Sequence, residues 1–527
     1  MNRAEQLARL RDPAPFDVAV IGGGATGLGV ALDAAARGFR VALVETVDFA
    51  KGTSSRATKL VHGGVRYLAQ GDIGLVREAL RERAMLLANA PHLAQPLAFV
   101  MPSYERFERA FYGAGLKMYD ALAGRHGLGD TQFLSTPQTS ALLPNLRAQG
   151  LKGGVKYWDG QFDDARLAVA LARTAVSQGA CVVNHCPATA LLREGGKVRG
   201  LAARDSESGE SFTLRADCVI NATGVWVDTI RAMDAEPGAP QRAPMVAPSQ
   251  GVHLVVDRRF LPGDHALLIP KTRDGRVLFA VPWMGKTILG TTDTPRDDLD
   301  TEPAPFREEV QLILDEAGRY LAQAPTRDDV RSVWVGLRPL VKPTQEDGAD
   351  TKGMSREHVV LVGRSGLVTV TGGKWTTYRA MAEDVLQRCF DRKLLPPRPD
   401  SATAYLPLIG APKRSAESLT QPPAEHLYGT EADNLRELPG AQRWLWRDGG
   451  GGLSEAMVRF AARFEMARTV EDVLARRSRL LFLDAAQAGA VAGDVATLLR
   501  DELGAAFDAA ASAASFKTLA ARYRHLP

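Results

Sequence analysis

The sequence has only four cysteines, Cys181, Cys186, Cys218 and Cys389, and none stands in a CxxC pair. This excludes a disulfide framework and a paired-cysteine zinc site, and it suits a reducing compartment. The nine histidines show no HExxH or comparable spacing, so no metal is expected. No uninterrupted apolar run is long enough to span a bilayer. Neither charge sign dominates. Lys and Arg total 65 against 61 Asp and Glu, a formal charge of +4 on 527 residues, which argues against a dedicated nucleic-acid binder. Met1 to Phe16 is polar and lacks the apolar centre of a signal peptide, so the expected location is cytoplasmic.

What is present is an ordinary globular balance, 45% hydrophobic and 24% charged, enough to bury a large core. Length suggests roughly three units. Asp17 to Ile21 reads as a buried parallel strand, followed by Gly22-Gly-Gly24-Ala25-Thr26-Gly27, an alanine-rich helix ending at Gly38, and a strand Val41 to Val44 closing on Glu45. Gly22 permits the tight turn, Gly24 lets backbone approach a pyrophosphate, and Gly27 lets helix and strand pack closely. The helix N-terminus presents N–H groups to phosphates. Glu45 is placed to hold ribose hydroxyls and disfavours a 2′-phosphate, so FAD or NAD is expected over NADP.

Two later segments favour the longer cofactor. Ala216 to Gly224 is strand-like and ends in the small-residue turn Ala222-Thr223-Gly224. Val359 to Tyr378 carries Gly372-Gly373-Lys374 ahead of a helix starting near Thr376. A cation beside a helix N-terminus stabilises an anion such as a reduced flavin. Met245 to Thr292 has the pattern of a second sheet, Leu394 to Arg414 reads as a linker, and the remainder is helix-patterned. The Gly449 to Gly452 run reads as a flexible loop.

The motifs Thr53-Ser-Ser-Arg-Ala-Thr-Lys59, Val61-His-Gly-Gly-Val-Arg-Tyr-Leu68, Asp163-Asp-Ala-Arg-Leu167, Gly290-Thr-Thr-Asp293, Gly336-Leu-Arg-Pro339 and Thr371-Gly-Gly-Lys-Trp-Thr-Thr-Tyr-Arg379 recur along nearly the whole chain. With them the sequence resembles the FAD-dependent glycerol-3-phosphate dehydrogenases of the aerobic, membrane-associated kind. The resemblance implies an α/β fold: a Rossmann-like FAD-binding domain (about 14–90, 150–240 and 335–395) interleaved with an antiparallel-sheet substrate domain (about 91–149 and 241–334). A linker (396–414) and a C-terminal α-helical domain (415–527) follow. It also implies oxidation of sn-glycerol 3-phosphate to dihydroxyacetone phosphate by hydride transfer from C2 to flavin N5, with electrons passed to a quinone.

No motif for a covalent link through His or Cys is evident, so FAD is expected to be noncovalent. On this resemblance it is held by Gly22, Gly24, Ala25, Thr26, Gly27 and Glu45, by the Thr53, Ser54, Ser55, Lys59 and Leu60 stretch, and by His62, Gly63 and Gly64. Ala188, Ala222, Thr223, Gly224, Gly373, Lys374 and Thr376 complete the set. The substrate phosphate falls to Arg66, Arg338 and Lys374, with Tyr67 offering a hydroxyl and Arg356 a further candidate, since a dianion wants several cations. His253 is the first choice for the base that takes the C2 hydroxyl proton. A core histidine bonded to backbone is the competing reading. Arg338 and Lys374 are placed with His253 in the catalytic set.

A quinone user without a transmembrane span must rest on the bilayer, here on the cytoplasmic face of an inner membrane with an anionic surface. Phe107, Phe111, Met118 and Leu122 recur at near-helical spacing, flanked by Arg109, Lys117 and Arg125. This describes either an interfacial helix or an amphipathic helix packed on the core. Arg476-Arg477-Ser-Arg479 either attracts anionic lipid or contacts the catalytic domain. Oligomeric state is left open, a homodimer included. An oxygen-using glycerol-3-phosphate oxidase, an amine or amino-acid oxidase and a non-catalytic FAD-binding, membrane-associated protein are the alternatives.

Overall fold

The computed structural model describes residues 1–68, 71–105, 107–235, 243–342, 358–415 and 417–527. Arg356 and the side chains of Arg66 and Tyr67 lie outside the described residues. The first strand, Phe16–Ile21, is the centre of an eight-stranded sheet. It pairs in parallel with Val41–Val44 on one side and Ser211–Asn221 on the other. Cys181–Val183 and Val368–Gly372 extend the parallel order outward, and His358–Val362 closes one edge antiparallel. These strands are continuous apolar runs because helices cover the sheet. The Ala25–Ala36 helix packs there on Asp164–Ser177 and Tyr378–Asp391. Its closeness depends on glycine: a Cβ at Gly27 would lie 2.0 Å from the Gly22 carbonyl oxygen, and one at Gly29 2.8 Å from the Tyr378 ring.

The second sheet has ten strands. Its long pair is Val246–Asp257 with Ser332–Val341, antiparallel over ten residue pairs. Ala94–Pro102 lies antiparallel to Gly154–Phe162 and parallel to His265–Ile269, so the sheet is mixed at that seam. Two boundaries of the sequence reading are corrected. Gly154–Phe162 and Ser332–Val341, assigned largely to the cofactor domain, hydrogen-bond into the substrate sheet. Strand pattern marks a strand but not its partner, and both segments sit where the chain crosses between sheets.

The C-terminal helices Glu455–Phe464, Ala485–Leu503 and Ala509–Arg524 share one buried core with the substrate sheet, Phe460, Phe482 and Phe516 joining Trp283, Ile288 and Trp334. The glycine run is not a loose loop. Gly451 and Gly452 open the buried strand Gly451–Ser454, which pairs with Trp444–Asp448. A Cβ at Gly452 would lie 2.1 Å from the Trp446 carbonyl oxygen. The 396–414 stretch packs on the catalytic body, with Leu408 buried and Asn89 Nδ2 donating to the Thr403 carbonyl at 3.0 Å.

Candidate active site

The segments singled out in the sequence meet at the C-terminal ends of the parallel strands, where doubly wound sheets bind ligands. Gly24 caps the Ala25–Ala36 helix without a side chain. Ala25 N donates to Ser54 Oγ at 2.9 Å, tying the Thr53 to Lys59 loop to that helix start. Trp375 Nε1 donates to the Ser54 carbonyl at 2.9 Å, and His62 N donates to Thr376 Oγ1 at 3.2 Å. Thr371 Oγ1 reaches the Gly224 carbonyl at 3.0 Å, and Ala222 N the Ile21 carbonyl at 2.9 Å. Four chain passes thus surround one place. Lys374 is half-buried at the Gly372-Gly373 turn, where both glycines have left-handed φ, +82° and +72°.

Glu45 stands just past Val44, its carboxylate accepting from Gly23 N at 2.6 Å and Val47 N at 2.9 Å. Burial raises its pKa against those two N–H donors. The 185–188 stretch passes beside it, Cys186 N donating to the Glu45 carbonyl at 2.7 Å, and Ala188 follows half-buried at the start of the Ala188–Glu194 strand. Gly63 N donates to Tyr119 Oη at 2.8 Å, and Gly64 takes φ +78°. Thr223 bonds back to Asn221 at 2.8 Å.

His253 lies on the Val246–Asp257 strand and is only 2% exposed. It stacks on Trp334, its cross-strand partner, with centroids 5.2 Å apart and 16° between planes. Its Nε2 is 2.9 Å from Thr58 Oγ1, while Nδ1 is buried with no hydrogen-bond partner in the described structure. The ring is a core histidine, as the competing reading has it, with a hydroxyl of the Thr53 to Lys59 loop as partner in place of a backbone carbonyl. Burial pushes this imidazole well below the ordinary histidine range, helped by the charges of Lys59 and Arg338, so it is held neutral. Arg338 lies four positions beyond Trp334, on the same sheet face. Its guanidinium is fixed by Asp293 at 3.1 Å, the Thr292 carbonyl at 2.9 Å and the Gln250 carbonyl at 3.3 Å.

Packing fixes where three groups lie, and for the 476–479 arginines it selects contact with the catalytic domain from the two readings. The Lys59 side chain is wholly buried, bonded to the Ser55 carbonyl at 2.8 Å and Asp164 at 2.7 Å, so the side chain faces the protein interior. Burial lowers its pKa to about 7 against the pull of Asp164. Leu60 packs in the core of the substrate sheet. Arg476, Arg477 and Arg479 are each at most 2% exposed, which removes them from any lipid surface. Arg476 and Arg477 both bond Asp48. Asp48, His185 and Asp472 bring ligand atoms within 4.8 Å of one another, but those two arginines saturate the group as an ion-pair network. Thr58, Asp164 and Trp375 were missed as site residues, although all three stand inside the motifs quoted above.

The family described as FAD dependent oxidoreductase matches residues 17–379, and the C-terminal domain of alpha-glycerophosphate oxidase matches 369–509. The chain is 41% identical over 534 aligned residues to the probable mitochondrial glycerol-3-phosphate dehydrogenase of Caenorhabditis elegans, covering 95% of this chain and 73% of that protein. It is 40% identical to the mitochondrial glycerol-3-phosphate dehydrogenase of Homo sapiens, covering 95% and 72%. The glycerol-3-phosphate dehydrogenase of Bacillus halodurans, solved in complex with FAD, superposes with a TM-score of 0.76 at 28% identity, over 99% of this chain and 98% of that one.

The chain belongs to the FAD-dependent glycerol-3-phosphate dehydrogenases.

Its cofactor is FAD, and the residues present fit it. The Gly22 to Gly27 turn is a cradle closed to side chains: a Cβ at Gly22 would lie 2.6 Å from the Ala222 carbonyl oxygen and one at Gly24 3.1 Å from Ser54 Oγ. The Glu45 carboxylate stands just past the second strand of the βαβ unit, the position from which a carboxylate can reach a ribose in dinucleotide-binding folds.

Proposed function

We infer that the protein oxidises sn-glycerol 3-phosphate to dihydroxyacetone phosphate and passes the electrons to a quinone while resting on an anionic membrane surface, on its cytoplasmic face. The observation that carries the chemistry is the hydrogen-bonded meeting of the Gly22 turn, the Thr53 to Gly64 stretch, the Gly224 turn and the Gly372-Gly373-Lys374 turn beside His253. Bound noncovalently, FAD supplies the hydride acceptor. Arg66, Arg338, Arg356 and Lys374 hold the phosphate, with Tyr67 offering a hydroxyl. Arg338 enters that role already oriented by Asp293 and two carbonyls, which limits the entropy lost on binding. His253 takes the C2 hydroxyl proton: its neutral ring is ready to accept it, and Thr58 fixes its orientation.

The test is an anaerobic titration of the oxidised flavin with sn-glycerol 3-phosphate. Prompt bleaching followed by reoxidation with a quinone supports the reading. No bleaching in a protein that retains FAD overturns it, and peroxide formed on readmitting oxygen in place of quinone turnover assigns an oxidase. His253→Ala is expected to slow bleaching by about a hundredfold with FAD retained. Because burial lowers the pKa of the free protein's His253, the acid limb of kcat/KM in the native protein is expected below the ordinary histidine value of about 6.5. A limb at or above that value removes His253 as the base.

Membrane contact rests on the outer helix Glu108–Ala123. Gly113, Leu116, Tyr119 and Ala123 face the protein, while Phe107 is 82%, Phe111 75% and Met118 48% exposed. Lys117 and Arg125 are exposed around them, and Phe133 adds a neighbouring ring at 49%. The helix therefore packs on the core with one face and leaves most of the expected stripe outside. No helix among the described residues is long and apolar enough to cross a membrane. Phe107→Ser/Phe111→Ser is expected to reduce binding to anionic vesicles by at least about tenfold, given roughly 1.5–3 kcal/mol per buried aromatic. Its kcat with a soluble acceptor should stay unchanged. Undiminished sedimentation with vesicles refutes this surface.

A further inference from the structure

The C-terminal helical domain inserts one side chain into the catalytic body. Arg479 follows the short helical turn Asp472–Arg477, adopts a left-handed φ of +64° and is completely buried. Its Nη2 donates to the Ser55 carbonyl at 2.8 Å and to Asp164 Oδ1 at 3.0 Å, and its Nη1 to the Ala475 carbonyl at 2.8 Å. Its Nε is 3.5 Å from Asp163 Oδ1, and the guanidinium lies over the Phe482 ring at 4.2 Å. The other Asp164 oxygen accepts from Lys59 Nζ at 2.7 Å and from Ala57 N at 3.1 Å.

Apart from the contacts to Ala475 and Asp163, these bonds end on the loop from Thr53 to Lys59 or on the Asp164 carboxylate that holds it. The same loop sends Thr53 to the Leu337 carbonyl, next to Arg338, at 2.5 Å, Ser54 to the cofactor helix and Thr58 to His253. The loop lies between the Ala25–Ala36 helix and the substrate sheet and has no regular ladder of its own along most of its length. Its position is therefore set by what holds Ser55, Ala57 and Lys59 from behind, and Arg479 and Asp164 do that.

We propose that Arg479 is a positioning residue for the flavin reaction, acting through Asp164 and the Ser55 carbonyl to hold the loop that orients His253 and meets the cofactor. The inference rests on the reading of the site given above. It assigns the helical domain a part in the chemistry, beyond covering the substrate sheet. A lysine at 479 keeps the charge and reaches only one of the two acceptors, so loop position relaxes while the interior stays electrically balanced.

The test compares Arg479→Lys and Arg479→Gln with Arg459→Gln. Arg459 bonds Glu502 within the helical domain at 2.7 Å and touches nothing in the loop, so its loss weakens that domain alone. Measured for each are melting temperature, FAD dissociation constant, flavin midpoint potential, and kcat and KM separately. Arg479→Lys is expected to lower kcat about tenfold with little change in melting temperature, and to weaken FAD binding. Arg459→Gln lowers melting temperature and leaves kcat and FAD affinity as they were. Native kcat, potential and FAD affinity in Arg479→Lys overturn the proposal, as does a loss in Arg479→Gln that only follows its melting temperature. If Arg479→Gln does not fold, Arg479→Lys and Asp164→Glu decide by the same readouts. FAD affinity and potential need no substrate, so a native protein that fails to oxidise glycerol 3-phosphate is distinguished from a failure of this proposal.

Discussion

Asp164→Asn is expected to destabilise the protein by about 3–5 kcal/mol, as breaking a buried ion pair from one side does. Asp164 is the shared partner of two cations, Lys59 and Arg479, and all three side chains are fully buried. An amide of the same shape leaves the Arg479 guanidinium without this carboxylate and drives the buried Lys59 to give up its proton, in an apolar surround of Trp283, Trp334 and Phe482. Neither can reach water. Thermal unfolding followed by flavin release should show the loss. Lys59→Met in the Asp164→Asn background should restore part of it, because the buried lysine nitrogen left without its carboxylate is then gone.

The pH dependence has a definite sign. Lys59 titrates at about 7 in the folded protein, lowered from its ordinary value, so the folded lysine is charged below that pH and neutral above it. The unfolded chain binds the extra proton between about 7 and the ordinary lysine value of about 10.4, so this group adds stability as pH rises across that window. The deficit of Asp164→Asn should therefore be larger at acid than at alkaline pH. A variant within about 1 kcal/mol of native at every pH would show that Asp164 does not hold these charges.

Gly27→Ala is expected to abolish FAD binding. The added Cβ would lie 2.0 Å from the Gly22 carbonyl oxygen and 3.4 Å from the Ala222 methyl group. Both belong to the turns that form the cofactor cradle, so relief requires the helix to move away from the strand and its N-terminus to leave the phosphate site. The measurement is flavin absorbance after gel filtration, scaled to protein. Gly493→Ala is the matched control: nothing lies within 4 Å of the position where its Cβ would stand, on the Ala485–Leu503 helix. It should bind FAD normally and gain roughly 0.5–1 kcal/mol from better helix propensity. A Gly27→Ala protein with full flavin content would contradict the close packing seen here.

Legibility followed range. The strand, Gly22 to Gly27 turn, helix and Glu45 lie within a single βαβ unit, where each residue's task is set by its neighbours in sequence. The Lys374 turn was also readable because left-handed glycines and a following helix are local features. Phe107, Phe111 and Met118 were placed on a helix by their spacing, yet only packing showed that Tyr119 and Leu116 face inward and the phenylalanines outward. The same limit applies to the arginines at 476, 477 and 479. In sequence they are a basic cluster suited equally to lipid or to protein; Asp48, Asp163 and Asp164, which neutralise them, are hundreds of residues away.

By itself the sequence determined the cofactor, the family and the strand and helix inventory near the glycine turns, because these depend on short-range backbone geometry and on motifs whose residues act together. Tertiary structure alone decided which sheet Gly154–Phe162 and Ser332–Val341 join, that Lys59 turns inward, and that the C-terminal domain reaches the Thr53 to Lys59 loop through Arg479. Strand pairing and charge burial are set by partners distant in the chain, and a residue's charge or pattern does not name its partner until the fold brings the two together.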